Sequence, residues 1–220
     1  MLSPDQRWVV AQVFPSGGSP DSRTTVKVMR VPMGGGSPEL IFSMRNGSLI
    51  SCARAPSKLC AVAEESPDRK SMVVTAFDPI GGKGAELARF ALRSDANGWI
   101  DSDHLLVFQI SPDGTRLAIT RSPDGPIEIH SLTGQPTRVI PAWGLDRLTV
   151  LRWAADAKGL FVSKQLFNGT ELVHVDLQGR THSLWASHGG HCFGTPSPNG
   201  RHLAIYDSEQ SNNVWMMENF

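Results

Sequence analysis

The chain has 220 residues, of which 21 are basic and 21 acidic, so its formal charge is zero. A neutral chain lacks the electrostatic attraction that drives binding to nucleic acid or to an anionic membrane surface. No run of about 18 apolar residues occurs, so we expect no direct membrane insertion.

A pattern of about ten residues recurs along the chain. Three copies, at 2–11, 110–119 and 196–205, contain Ser-Pro-Asp or Ser-Pro-Asn, and degenerate copies lie at 54–62 and 153–162. The copies follow one another at intervals of roughly 43 to 56 residues, the range of propeller blades. Proline presets φ in a turn, and the Asp or Asn side chain accepts a local backbone hydrogen bond. Each copy is therefore predicted to be a hairpin turn between two strands.

Further strands follow each hairpin in a fixed order. Several alternate between polar and apolar residues, as half-buried strands do. Third strands are predicted at 25–31, 72–77, 127–130, 171–175 and 213–217, and fourth strands at 39–42, 86–90, 137–140 and 181–185. A β-sandwich would not explain this fixed phase. We predict an all-β fold, a β-propeller of about five four-stranded antiparallel blades at 1–45, 46–93, 94–142, 143–186 and 187–220.

Two segments carry a family resemblance. Residues 111–118 (SPDGTRLA) and 197–204 (SPNGRHLA) resemble the blade signature of TolB-type, WD-repeat-like propellers. The closing segment 212–220 resembles the end of propellers attached to bacterial serine/threonine kinases and winged-helix regulators. The resemblance implies a binding module of a bacterial signalling protein. The pattern departs from the signature at 55–57 and 154–156.

The strand count predicts an incomplete ring. The first unit begins at its hairpin turn and the last ends after its third strand, so we expect a fragment of a longer reading frame or an open arc. Strand edges near 8–11 and 214–217 would then invite pairing with another chain. We predict self-association, which a monomer at every concentration in light scattering would contradict.

Three cysteines are present, Cys52, Cys60 and Cys192. An odd count argues against a disulfide framework, and all three are predicted to be small buried apolar residues. Unpaired cysteines and the lack of a visible secretory signal favour the cytoplasm for the sequence as written. Truncation from a membrane-anchored parent would place the chain outside the cytoplasm.

Motifs for catalysis are missing from the sequence. It has no Gly-x-Ser-x-Gly elbow and no phosphate-binding loop of the Gly-x-x-x-x-Gly-Lys kind. His188, His191 and Cys192 lie close together, but no second ligand pair is near in sequence. The acidic loop at 95–104 does not match the spacing of an EF-hand. We predict no metal and no cofactor.

Candidate binding residues fall in two groups. The first lies in the connections between blades, where propeller loops form a face, and consists of Trp99, Asp101, Asp103, His104, Trp143, His188 and His191. The second precedes the hairpin turns and would line the channel: Arg54, Gln109, Arg152 and Thr195. The two arginines either meet an anionic or carbonyl-bearing ligand or donate to carbonyls of adjacent blades.

The sequence is compatible with three functions. The leading prediction is a non-catalytic module, the sensory or scaffold part of a larger protein, that binds a protein or small-molecule ligand. The alternative is the regulatory propeller of a peptidase or other hydrolase that lacks its catalytic domain, with Arg54 and Arg152 as the discriminating pair. An independent lyase or lactonase would need carboxylates or histidines on the innermost strands, which carry almost none.

Overall fold

The protein is all-β. The computed structural model describes residues 1–15, 24–45, 47–91, 107–121, 124–141, 144–145 and 147–209. These residues form 17 strands and no helix, so none of the described elements is a helix that could cross a membrane.

The strands form five separate antiparallel sheets. Blade 1 contains β1 (Trp8–Val13), β2 (Thr25–Pro32) and β3 (Glu39–Arg45). Blade 2 contains β4 (Leu49–Cys52), β5 (Cys60–Glu65), β6 (Ser71–Asp78) and β7 (Gly82–Ala91). Blade 3 contains β8 (Val107–Ile110), β9 (Arg116–Thr120), β10 (Ile127–Ser131) and β11 (Arg138–Ile140). Blade 4 contains β12 (Leu148–Trp153), β13 (Gly159–Leu166), β14 (Gly169–Asp176) and β15 (Thr181–His188). Blade 5 contains β16 (Gly190–Pro196) and β17 (Leu203–Glu209).

Strands within each sheet follow one another in chain order, from the innermost strand outwards. The predicted propeller fold is confirmed. The predicted third strand at 213–217 lies outside the described residues. On β1, Leu2 bridges Val9 and Met1 exchanges two backbone hydrogen bonds with Val10, so the edge predicted to be unpaired near 8–11 is partly paired within the chain.

The Ser-Pro-Asp turn explains why the sequence folds into these hairpins. In blade 3 the Ser111 Oγ donates to Asp113 and accepts from the Arg116 backbone N–H at 3.0 Å. The Asp113 carboxylate also accepts the Thr115 backbone N–H at 3.0 Å. Backbone bonds from Gly114 to Ser111 and from Ser111 to Arg116 close the turn. The serine and aspartate side chains of the turn are thus used locally.

The same arrangement recurs at other turns. Ser3 with Asp5, and Ser197 with Asn199, repeat the bonds in blades 1 and 5. A further copy at 66–71, which the sequence comparison missed, joins the second and third strands of blade 2. The motif is therefore a general hairpin turn of this chain and does not mark the innermost hairpin alone.

Three apolar clusters hold neighbouring blades together. They are centred on Val28 between blades 1 and 2, on Ile119 between blades 2 and 3, and on Leu160 between blades 3 and 4. All three side chains are completely buried. Complete burial of one such side chain contributes about 1.5–3 kcal/mol to stability. The core therefore lies in the seams between sheets, and it fixes where each turn and loop emerges.

The expectation of three unpaired cysteines is wrong. Cys52 at the end of β4 lies directly opposite Cys60 at the start of β5, and the two form a disulfide. Cysteine counting missed the pair because the third residue, Cys192, is a free buried thiol. Strand register, which the count does not contain, places the first two side by side. The argument for a reducing compartment from unpaired cysteines thus loses its premise.

Candidate functional site

Alternating strand directions give the propeller two faces. Turns between first and second strands and between third and fourth strands emerge on one side, which we call the turn face. Loops between second and third strands, and the connections between blades, emerge on the opposite side, which we call the loop face. Sequence-predicted contact residues in the blade connections therefore belong to the loop face.

Two of the predicted contact residues on the loop face are described. His188 and His191 are both exposed, at the connection between blades 4 and 5. The remaining five, Trp99, Asp101, Asp103, His104 and Trp143, lie outside the described residues. Beside the histidines, the Asp207 carboxylate accepts the Trp185 indole N–H at 2.8 Å. Hydrogen bonds from Ser187 and Trp185 hold the pKa of Asp207 below its ordinary value.

The hairpin between β13 and β14 adds a loop-face residue that sequence reasoning missed. Phe167 at its tip is 99% exposed. The Gln165 side chain donates to the Gly169 carbonyl at 2.8 Å, and the Gly189 backbone N–H donates to the Asn168 carbonyl at 3.1 Å. These bonds fix the tip to the connection that carries His188. The signal was visible in the sequence, since Phe167 directly precedes an Asn-Gly turn.

Alternation along β16 places His191 and Cys192, two of the possible metal ligands in the sequence, on opposite sides of the sheet. The Cys192 thiol donates to the Thr170 carbonyl at 3.2 Å, inside the seam with blade 4. His191, the preceding residue of β16, projects from the opposite side of the sheet and is exposed. Burial raises the pKa of the Cys192 thiol. Within the described ranges, no group of three His, Cys, Asp or Glu side chains is placed to bind a metal ion.

Channel candidates occupy two different places. Gln109, Arg152 and Thr195 hold the same position on their innermost strands, two residues before the start of the turn. In blade 2 that position belongs to Ser51, whose hydroxyl accepts the Ile110 backbone N–H at 3.0 Å. Arg54 lies inside the turn itself, because the turn from Ala53 to Leu59 is one residue longer than the others.

Arg54 reaches from blade 2 to blade 5. Its guanidinium donates to the carbonyls of Pro196 at 3.2 Å and Ser197 at 3.4 Å. Its backbone N–H donates to the Pro112 carbonyl of blade 3 at 2.8 Å. Arg54 thus connects three blades at the turn face. Burial lowers the pKa of its guanidinium, which stays a cation at neutral pH because the starting value is so high.

The Arg152 guanidinium makes fewer hydrogen bonds to the protein than that of Arg54. Its guanidinium donates to the carbonyl of the neighbouring Leu151 at 3.0 Å, and burial lowers its pKa. Among the described residues, no carboxylate forms a salt bridge with Arg152 or Arg54. The structure does not bring the two arginines into one hydrogen-bonded group. The Trp153 indole, next to Arg152, donates to the Gln109 carbonyl at 3.0 Å and joins blades 3 and 4.

A recess of about 530 Å³ opens between the turns of blades 4 and 5. Its walls include Phe161, His174, Leu184, Arg201 and His202. His174 is held against Phe161 with ring centres 5.3 Å apart. Sequence reasoning did not predict this recess, because it depends on how the two blades pack.

Comparisons with known proteins identify the fold and leave the family open. No protein-family model matches the chain, and no curated protein matches it. Solved structures do match. The crystal structure of TolB from Acinetobacter baumannii is 19% identical, with a TM-score of 0.63, over 93% of this chain and 48% of that one.

Two further structures agree. Putative TolB from Agrobacterium tumefaciens is 15% identical, with a TM-score of 0.62, over 94% of this chain and 73% of that one. A putative 6-phosphogluconolactonase from Bacteroides uniformis is 14% identical, with a TM-score of 0.54, over 94% of this chain and 62% of that one. The fold is that of a TolB-like β-propeller. The chain spans about half the length of the Acinetobacter structure, and these low identities carry no function across.

Proposed function

We propose that this chain is a non-catalytic propeller module that binds a protein through its loop face, as the sensory or scaffold part of a larger bacterial signalling protein. The observation that carries the proposal is the position of Phe167, which is 99% exposed at the tip of a hydrogen-bonded hairpin. A large aromatic side chain held in water by a fixed hairpin is suited to a pocket on a partner protein.

The hydrogen bonds of Arg54 favour one class of ligand over another. Its guanidinium donates to two carbonyls of blade 5, so its donors are already committed within the chain. A small anionic or peptide ligand in the channel would have to compete with these bonds. This commitment supports a protein scaffold over the alternative, the regulatory propeller of a peptidase or other hydrolase.

The turn face is the less suitable binding surface. Its Ser-Pro-Asp turns use their own side chains to satisfy the backbone N–H groups, as Ser111 and Asp113 do. The backbones of these turns therefore offer few free donors, and the side-chain donors of this face include Arg201 and His202 in the recess. On the loop face, Phe167 lies beside the exposed His188 and provides an aromatic anchor with polar neighbours, the arrangement of an interface centre and rim.

The test compares two exposed apolar hairpin residues on opposite faces. Phe167→Ser removes the proposed anchor, and Ile80→Ser is the matched control, since Ile80 is 66% exposed at a turn of the turn face. Each variant chain is used to capture proteins from a lysate of the source organism, with quantitative mass spectrometry as the readout. Loss of a hot-spot aromatic weakens binding roughly 30-fold or more.

We expect a protein that wild type and Ile80→Ser both capture to be lost with Phe167→Ser. Equal capture by all three chains would overturn the assignment of the loop face. Circular dichroism of the variants checks that each retains its β structure.

A further inference from the structure

The innermost turn of blade 2 differs from the other four. At the turns of blades 1, 3, 4 and 5, the third residue is Asp or Asn, and its side-chain oxygen accepts a backbone N–H. Blade 2 has Ala55 at this position. Its turn keeps the closing backbone bond from Ala53 to Leu59 at 2.8 Å. Among the described residues of this turn, the only side-chain acceptor is the Ser57 hydroxyl, which accepts the Leu59 N–H at 3.2 Å in place of a carboxylate or amide.

A disulfide lies at the base of this reduced turn network. Cys52 and Cys60 are the cross-strand pair at the base of the turn. The equivalent pair in blade 3 is Ile110 and Leu117, which are both buried and not covalently joined. Blade 2 therefore holds its innermost hairpin with a covalent bond where blade 3 uses apolar packing and local hydrogen bonds.

The loop closed by this disulfide contacts two other blades. The Arg54 backbone donates to Pro112 of blade 3, and its guanidinium donates to Pro196 and Ser197 of blade 5. Ser57 packs on Gly114 of blade 3 so closely that a Cβ built there would lie 2.9 Å from the Ser57 Cβ. The loop 53–59 is thus a strap across the turn face. Its bonds to blade 5 join the residues that are furthest apart in the sequence.

We propose that Cys52–Cys60 is a reversible redox-modification site whose reduction by a dithiol releases this strap. The proposal is independent of the loop-face function. Cys60 is completely buried and Cys52 is partly exposed, so we expect the reductant to attack the sulfur of Cys52. The partner it implies is a dithiol reductant or a dithiol oxidoreductase.

The exchange proceeds in two steps. A thiolate of the dithiol attacks the Cys52 sulfur, which forms a mixed disulfide and expels the Cys60 thiolate, and that thiolate takes a proton from water. The second thiol of the reductant then attacks its own sulfur in the mixed disulfide and releases Cys52 as a thiol. The protein disulfide gains two electrons, and the dithiol becomes a disulfide.

The experiment follows the strap by hydrogen exchange in the oxidised and reduced full chain. Dithiothreitol is the reductant, under conditions in which the protein stays folded. Maleimide labelling with peptide mass spectrometry shows which thiols have formed. We expect labels on Cys52 and Cys60, because release of the strap uncovers both, and little label on Cys192, which lies in the seam with blade 4 away from the strap. Amide exchange at Ala53, Arg54 and Leu59 should become faster by about tenfold or more.

Strands β8 and β9 of blade 3 are the internal reference and should keep their exchange rates. A matched variant, Cys52→Ile with Cys60→Leu, carries the pair found in blade 3 and should not respond to dithiothreitol. If this variant fails to fold, the wild-type comparison stands alone. Unchanged exchange at 53–59 after both thiols are labelled, or labelling only in denaturant, would overturn the proposal.

Discussion

Ser111 illustrates how much of this fold depends on single polar residues. It is completely buried, and its hydroxyl both donates to Asp113 and accepts from the Arg116 backbone. Ser111→Ala removes the side-chain acceptor of the partly buried Arg116 N–H. We expect a loss of about 1–3 kcal/mol in the free energy of unfolding, measured by urea denaturation.

The control for this prediction is Ser43→Ala, at an exposed serine of β3. Its effect should stay within about 0.5 kcal/mol. If the two substitutions cost the same, the turn network does not hold the hairpin.

At this scale the sequence predicts the regular turns and fails where the outcome depends on an extra turn residue or on strand register. Ser, Pro and Asp act on neighbouring backbone groups, so the turn at 111–116 is a local property and readable from the sequence. Arg54 was predicted to precede its turn but lies within it, because the turn of blade 2 has one extra residue. Cys52 and Cys60 meet through strand register, which the cysteine count does not contain.

The hairpin formed by β13 and β14 is the element on which the proposed binding face depends. Gly169 adopts φ +133°, and a Cβ there would lie 1.9 Å from the Ser187 carbonyl oxygen. Gly169→Ala therefore combines backbone strain with a collision against fixed backbone. We expect it to destabilise the protein by about 3 kcal/mol or more in thermal unfolding.

Gly189→Ala separates strain from collision. Gly189 also has a positive φ, +83°, but a Cβ there would have no neighbour within 4 Å. This variant should cost only about 1–2 kcal/mol. Equal destabilisation by both variants would show that the close approach of Gly169 to Ser187 is not what fixes the hairpin tip.

Elements were easier to predict than their surfaces. The third strand of blade 3 alternates along 127–130, and the structure places it at Ile127–Ser131. Alternation reports which side of a strand is buried, so it predicts strands well. It contains nothing about which hairpin tip projects furthest, and the exposure of Phe167 was therefore missed.

For the whole molecule, the turn carboxylates predict a response to acid. Hydrogen bonds from Ser3 and Ser66 hold the pKa values of Asp5 and Asp68 below their ordinary values. A lowered pKa in the folded state stabilises the protein above the ordinary carboxyl pKa, and this contribution is lost as pH falls through the folded-state value. We expect the thermal midpoint to hold between pH 7 and 5 and to fall below about pH 4.

The control variant for this prediction copies the turn of blade 5. That turn has Asn199, which does not titrate, in the place of aspartate. Substituting Asn for Asp5, Asp68 and Asp113 should reduce the fall in midpoint at low pH. An unchanged fall in that variant would place the acid sensitivity elsewhere in the molecule.

The arrangement of blades relative to one another is the part that sequence patterns do not contain. Arg54 and Ser197 are 143 positions apart and lie in blades that are not neighbours along the chain. Their contact depends on how each seam packs, and seam packing is a sum over many apolar side chains. The repeat predicts blades, whereas the strap across the turn face required the structure.

Site-specific photo-cross-linking tests the proposed binding face most directly. A photoreactive phenylalanine analogue replaces Phe167 in one chain and Ile80 in another, and each is irradiated in a lysate of the source organism. We predict one discrete protein adduct from position 167, on the loop face, and none from position 80, on the turn face. An adduct from position 80 alone, or none from either position, would contradict a protein-binding module that works through its loop face.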